Sequence, residues 1–144
     1  RTGWVMRRFK AWKVPSDQFY ELTDGATAEE GMKSLPAVER FPMKPNVLKT
    51  IELFCETSRP QDRVVFLFSG HAYEKDGKAY LVPIEGEFEN VESLIPLEQI
   101  YAAFGACKAQ EKLVIWDVCR CNPDRGTERP SLGRMTEGPE NAPP

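Results

Sequence analysis

Two short, strongly apolar runs constrain the fold of this chain more than any other feature of its sequence. The first covers residues 64–68 (VVFLF) and the second covers residues 113–118 (LVIWDV). Runs of this length and composition are typical of strands that are buried on both faces of a parallel sheet. Parallel strands need a crossover connection, which a helix usually supplies. The sequence therefore predicts an α/β fold with a mostly parallel sheet and right-handed crossovers.

Three segments have apolar residues at spacings of three and four, which is typical of amphipathic helices. They cover residues 1–13, 46–58 and 96–107. Asn46 is the expected N-cap of the second helix, and Pro96 is expected at the first helical position of the third. A helical turn is also expected from Thr27, and the prolines between residues 34 and 45 predict an irregular connection.

Two further segments have the composition of short strands. Residues 18–23 (QFYELT) are aromatic and β-prone. Residues 79–82 follow Asp76-Gly77, a dipeptide that is typical of tight hairpin turns. Residues 84–95 are expected to form a polar loop.

The end of the chain differs in composition from the rest. Residues 123–144 contain five prolines, three glycines and only three hydrophobic residues. Such a stretch cannot bury enough apolar surface to offset its ordering entropy. We therefore expect one globular domain over residues 1–122 and a mobile linker or tail over residues 123–144.

The charge balance argues against a nucleic-acid partner, and the length of the apolar runs argues against a membrane partner. The 144 residues include 19 basic and 22 acidic side chains, and the net charge is -3. This balance lacks the basic excess that holds a nucleic-acid backbone, so no nucleic-acid partner is expected. No apolar run approaches the roughly 18 residues of a membrane span, so no membrane partner is expected. We also expect no cofactor.

The residues that follow the two apolar runs indicate a chemistry. His71, the only histidine, comes shortly after the first run, and Cys119 comes directly after the second. Parallel strands would bring both residues to the same carboxyl edge of the sheet, where α/β proteins place their ligands. An imidazole within roughly 3 Å of a thiol can accept its proton and leave a nucleophilic thiolate.

An acyl transfer also needs donors for the oxyanion that forms on the attacked carbonyl. The backbone N–H groups of Ala72 and Cys119 are candidates, because each is expected to follow a strand end and to stay out of the strand ladder. Gly70 is expected to let the chain turn sharply beside the histidine.

Three stretches together resemble a known family. They are residues 62–71 (DRVVFLFSGH), 80–83 (YLVP) and 112–120 (KLVIWDVCR), and Cys119 follows His71 by 48 residues. A histidine about 50 residues before the cysteine is typical of caspases. Residues 17–121 resemble the catalytic core of caspase-like cysteine peptidases of clan CD, in particular the metacaspases and their bacterial relatives.

This resemblance implies a three-layer α/β/α caspase-like fold that is incomplete at both ends. The family's first strand would precede Arg1, and the second half of the catalytic domain would follow the tail as a missing partner. Because the chain begins with Arg1 and inside a predicted helix, we expect it to be an internal piece of a longer protein. A catalytic thiol would suit a reducing compartment, so a cytoplasmic location is expected.

The resemblance also implies a function and its residues. It implies a cysteine-type endopeptidase that acts on peptide or protein substrates, with His71 as the general base and Cys119 as the nucleophile. The metacaspase branch cleaves after Arg or Lys, and the matching positions for substrate binding are Asp117 and Ser69. A carboxylate at Asp117 would pair with a substrate guanidinium.

Departures from the family pattern keep a second interpretation open. Ala72 stands where the family usually has glycine, and Cys121-Asn122 stands where it often has Ser-Gly. The alternative is a catalytically inactive caspase-like module with a signalling or scaffold role. No calcium site is expected, because the acidic cluster that binds calcium in many metacaspases is not evident at residues 73–83.

The remaining cysteines suggest weaker alternatives. Cys119, Cys121 and His71 would make a zinc site with poor spacing and only three ligands, so no metal is expected. Cys121 would also be able to resolve an oxidised Cys119. Cys55 and Cys107 lie on apolar helix faces, where we expect them to be inert.

Overall fold

The structure is a computed structural model that describes residues 8, 11–15, 18–23 and 41–121, with residues 120 and 121 described by their backbone alone. The chain divides into two compact units, Arg1–Pro42 and Met43–Pro144. The turn predicted from Thr27 and the boundary predicted between residues 122 and 123 lie outside the described residues.

The first unit contains part of a predicted helix. Arg8 and Ala11 are helical, and the Trp12 amide donates a hydrogen bond to the Arg8 carbonyl at 3.0 Å. The rest of the helix predicted over residues 1–13 lies outside the described residues, apart from Trp12 and Lys13, which form a turn.

The prediction of a strand over residues 18–23 is wrong. The Gln18 amide donates to the Pro15 carbonyl at 2.9 Å, and residues 19–23 have no regular secondary structure. A β-prone composition reflects how well side chains fit a sheet surface, and it does not supply a pairing partner. No strand in the described part of the chain pairs with this segment.

The second unit has an α/β order of elements. They are α1 (Lys44–Thr57), β1 (Arg63–Lys75), β2 (Lys78–Val82), a 3-10 helix (Val91–Ser93), β3 (Ile95–Pro96), α2 (Leu97–Ala106) and β4 (Glu111–Cys121). The four strands form one sheet in the order β3-β2-β1-β4. The predicted α/β class is therefore confirmed.

The sheet is mixed, so the prediction of a mostly parallel sheet is wrong for the described strands. Only β1 and β4 run parallel, and β1–β2 and β2–β3 are antiparallel pairs. A two-residue turn separates β1 from β2, and so short a connection can only reverse the chain. The parallel pair is the one whose connection contains α2, as the two apolar runs predicted.

Helix α1 begins earlier than its sequence predicts. Its N-cap is Met43 and not Asn46, and Pro45 lies in the first turn, where its missing N–H costs nothing. The Met43 side chain does not cap the helix. Instead, the amide of Lys44 donates to Glu85 Oε1 at 2.7 Å, so a loop distant in sequence caps the helix.

The hairpin between β1 and β2 has the predicted turn. Asp76 and Gly77 have φ angles of 50° and 73°, and Lys75 pairs with Lys78 across the turn. Positive φ at both central residues is the geometry of a type I′ turn, which matches the twist of the strands on either side.

The core of this unit lies between helix α2 and one face of the sheet. The Phe104 ring of α2 packs against Phe66 of β1 at 5.7 Å between centroids, and Tyr101 meets Trp116 of β4 edge-on at 6.4 Å. Helix α1 packs against α2. Its buried face consists of Val47, Ile51 and Cys55. In the described ranges, no helix has the length and apolar character needed to cross a membrane.

Candidate active site

The pairing of β1 with β4 brings the two predicted reactive residues together. His71 is the register partner of Cys119, and Ser69 is the register partner of Asp117. Directly opposed residues of neighbouring strands present their side chains on the same face of a sheet, and so do residues two apart on one strand. All four side chains are exposed. They form a compact group, the polar quartet, on the face opposite Phe66 and Trp116.

Both reactive residues lie inside strands, which corrects the prediction that each follows a strand end. β1 continues past His71 to Lys75, and β4 continues past Cys119 to Cys121. The first extension exists because the hairpin turn supplies β2 as a partner for the second half of β1. The second exists because the parallel ladder runs on to the pair Tyr73↔Cys121.

Asp117 is already engaged by its register partner. The Ser69 hydroxyl donates to Asp117 Oδ2 at 3.0 Å. The hydroxyl proton thereby orients the carboxylate and leaves its other oxygen, Oδ1, as an acceptor for an incoming donor. An exposed carboxylate held in this way can bind a guanidinium or an ammonium group.

No hydrogen bond joins His71 to Cys119 among the described residues. The register places the two backbones side by side, and Cys119 is a free, exposed thiol. Catalytic hydrogen bonds are often long or poorly aligned without substrate and shorten when it binds. The register places the imidazole and the thiol on the same exposed face of the two strands.

The two backbone donors predicted for the oxyanion are in different surroundings from those expected. Ala72 is buried and pairs with Leu81 on one side and Arg120 on the other, so its position lies within two ladders. Cys119 lies within the β1–β4 ladder. The reasoning that both positions stay out of a ladder is wrong, and the oxyanion role of these amides stays a prediction.

Gly70 does not form the sharp turn that was expected. It lies within β1, opposite Val118. A Cβ added at Gly70 would lie 3.1 Å from two ring carbons of Phe68. Gly70, the residue before His71, has no side chain and therefore leaves room for the Phe68 ring.

One end of the polar quartet is closed by a cluster that the sequence did not predict. Val82 is the register partner of His71 on the side away from Cys119. It packs against a buried cluster formed by Tyr73, Tyr80 and Leu94, together with Phe88 and Val91. Residues 84–95 were predicted as a polar loop, but the apolar residues Phe88, Val91 and Leu94 among them recur every third position. That spacing was the available signal.

The other end of the polar quartet borders an apolar strip. Val65, Leu113 and Ile115 lie on the same face as His71, with exposed fractions of 38%, 54% and 38%. The quartet therefore lies between a buried aromatic cluster and an exposed apolar strip. The thiol, the imidazole and the carboxylate of the quartet are all exposed between these two apolar regions.

The described residues contain no group of three or more His, Cys, Asp or Glu that could hold a metal ion. Cys121, the third ligand of the zinc alternative, has its side chain outside the described residues, so its predicted roles stay predictions.

No protein-family model matches this chain, and no curated protein sequence is significantly similar to it.

Proposed function

We propose that this protein is a cysteine-type endopeptidase of the caspase-like kind, with His71 and Cys119 as its catalytic dyad. The observation that carries the proposal is the register pairing of these two residues on one exposed face of adjacent parallel strands. A histidine and a cysteine from separate strands, side by side and accessible, form the minimal arrangement for a thiolate nucleophile with its own base.

In the proposed reaction, Sγ of Cys119 attacks the carbonyl carbon of the scissile peptide bond while His71 takes the thiol proton. The backbone N–H of Cys119, on the edge strand β4, is the first donor proposed for the oxyanion, and the N–H of Ala72 would join it by leaving its strand ladder. The imidazolium then gives its proton to the leaving amine, and a thioester to Cys119 remains. Water, activated by the same imidazole, hydrolyses the thioester and restores the thiol.

The proposed specificity is for Arg or Lys before the cleaved bond. Asp117 lies two residues before Cys119 on the same face of β4. The Ser69 hydroxyl orients its carboxylate by donating to Oδ2 at 3.0 Å. A charge-assisted pair with a substrate guanidinium would bring the scissile carbonyl close to Cys119.

The proposed fold is the three-layer α/β/α arrangement of caspase-like proteins. The parallel pair β1–β4 with α2 in its connection and the packing of α2 on one face of the sheet support this proposal.

The test is a set of fluorogenic peptides with Arg, Lys, Asp or Ala before the reporter, assayed in reducing buffer with and without calcium. We expect turnover of the Arg and Lys peptides only, and loss of that turnover in Cys119→Ala and in His71→Gln. Leu113→Ala is the matched control, since it changes an exposed side chain on the same face. Turnover that persists in Cys119→Ala would refute the dyad.

The second candidate is a catalytically inactive caspase-like module. The observation that favours it is the absence of a hydrogen bond between His71 and Cys119 among the described residues, together with Ala72 in place of glycine. This candidate predicts no turnover of any of the peptides by folded protein. It also predicts that Cys119→Ala leaves the partner interactions of the protein unchanged.

A further inference from the structure

Two buried cysteines outside the polar quartet lie at the ends of two packed helices. Cys55 lies in the last turn of α1, and Cys107 is the residue that caps the C-terminus of α2. Their exposed fractions are 8% and 5%, and Cys107 is near enough to Cys55 to contribute to the raised pKa of its thiol. Both are free thiols. We call Cys55 and Cys107 the thiol pair.

The backbone holds the two helix ends together independently of the thiols. The amide of Gln110, which follows α2, donates to the carbonyl of Pro60, which follows α1, at 3.2 Å. The strands that come next begin side by side, with Arg63 opposite Glu111. Two chain segments that are held in this way keep the thiol pair close even when side chains move.

We propose that the thiol pair is a modification site at which a peroxide converts Cys55 and Cys107 to an intramolecular disulfide. In the first step, one thiol sulfur attacks a peroxide oxygen, the O–O bond breaks, and a sulfenic acid and a water molecule form. In the second step, the other thiol sulfur attacks the sulfenic sulfur. The S–S bond forms, the S–O bond breaks, and a second water molecule leaves. Two thiols are oxidised and one hydrogen peroxide molecule is reduced.

The burial of the thiol pair determines how fast it reacts with the peroxide. Burial, with a smaller contribution from Cys107, raises the pKa of the Cys55 thiol to about 12. Little thiolate is therefore present at Cys55 at neutral pH, and the native pair reacts slowly. Both cysteines lie at helix ends, which open locally more easily than helix centres. Local opening is the step that admits the oxidant.

The disulfide would join α1 to the end of α2 at the base of the two strands that carry the polar quartet. A link between these residues closes a loop with 51 residues between the cysteines. Closing a loop of this size restricts the unfolded chain and so stabilises the folded one. We expect the modified protein to have a higher Tm.

The experiment uses the full chain with Cys119→Ala and Cys121→Ala, so that only the thiol pair can react. The protein is treated with hydrogen peroxide, digested without reduction and analysed by mass spectrometry. We expect a mass loss of two hydrogen atoms, a peptide that links Cys55 to Cys107, an upward shift in Tm, and reversal of all three by a reductant. The same chain with Cys55→Ala added is the control, in which neither the link nor the shift forms.

Two results would overturn the proposal. One is that both thiols are still available to an alkylating reagent in denaturant after an exposure many times longer than the one that fully oxidises Cys119 in the unaltered protein. The other is that Cys107 gains oxygen without forming a link, or links only to a second chain. Because the tested chain lacks Cys119, neither result depends on peptidase activity.

Discussion

His71 and Cys119 lie side by side because the parallel ladder between β1 and β4 runs without a break from Arg63↔Glu111 to Tyr73↔Cys121. In an unbroken ladder, one register choice determines every pair along it. A slip by one residue would move the thiol to the opposite face of the sheet, on which α2 packs. The apolar residues of β4 that pack on α2, such as Trp116, therefore hold the thiol on the exposed face.

At the residue scale, Asp117→Asn tests the specificity role proposed for the exposed Asp117 carboxylate. The amide keeps the size of the side chain and can still accept from Ser69, but it loses the charge that would bind a substrate guanidinium. We expect kcat/KM for the Arg peptide to fall by roughly 10- to 100-fold, the value of one hydrogen bond to a charged group. Ser69→Ala, which removes only the orienting hydroxyl, should cause a smaller loss. An equal loss for a peptide with an uncharged residue at that position would contradict the specificity role.

A second prediction at the residue scale concerns alkaline pH. The pKa of Cys55 is about 12 in the folded protein against 9.0 for the free side chain, mainly because of burial. Above pH 9.0 the unfolded chain releases this proton and the folded chain retains it. The free energy of unfolding should therefore fall between these two pH values, by at most about 1.4 kcal/mol per pH unit.

The measurement is urea unfolding of the unaltered protein and of Cys55→Ala across this alkaline range. Cys55→Ala should show a shallower decline, because the remaining titrating groups are common to both proteins. Parallel declines in the two proteins would show that Cys55 does not contribute.

At the element scale, the turn between β1 and β2 was predictable from two residues, because the conformation of a two-residue turn depends on those residues alone. Asp76-Gly77 predicted the hairpin because two residues with positive φ are needed there, and few residue types adopt that conformation. The ends of β1 and β4 had no such signal. A strand continues for as long as a neighbour continues to pair with it, and the neighbours are distant in sequence.

One substitution, glycine to alanine, should have opposite effects in two elements. Gly77→Ala places a side chain at a φ of 73° and should lower the free energy of unfolding by about 1 kcal/mol. Gly105→Ala lies in α2 with no atom within 4 Å of the added Cβ, and it should raise that free energy by about 0.5–1 kcal/mol. Urea denaturation measures both. A stable Gly77→Ala would mean that the turn adopts another type.

At the scale of the whole molecule, apolar side chains are divided unequally between the two faces of the sheet. Phe66 and Trp116 meet α2, whereas Val65, Leu113 and Ile115 on the other face stay partly exposed. Along the part of β1 and β4 that precedes the polar quartet, apolar burial is therefore concentrated on the helix side, and on the other face the buried cluster begins only at Tyr73 and Tyr80. The polar quartet lies on the side that is exposed to solvent.

This division predicts unequal costs for one substitution at two isoleucines. Ile100 of α2 is 0% exposed and Ile115 of β4 is 38% exposed. Ile100→Ala should lower the free energy of unfolding by about 2–5 kcal/mol, because it leaves a cavity in a packed core. Ile115→Ala should cost much less, because solvent fills the space. Chemical denaturation of the two variants measures the difference, and equal costs would show that the exposed face is packed in solution.

By itself, the sequence determined the class of the fold, the two apolar runs that form the parallel strands β1 and β4, the hairpin turn, and the apolar faces of the two helices. Each of these depends on side chains close together in sequence, where periodicity and the conformational limits of Gly and Pro act directly. The resemblance to caspase-like peptidases supplied the roles proposed for Asp117 and Ser69.

Only the tertiary structure decided where strands end, which residue begins α1, whether residues 18–23 pair, and what lies beside His71. The ladder to Cys121, the Glu85 carboxylate that caps α1 and the cluster that contains Val82 all join residues far apart in sequence. Partners of this kind are selected by how the whole chain packs, because a backbone group bonds to whichever neighbour the packing brings within reach.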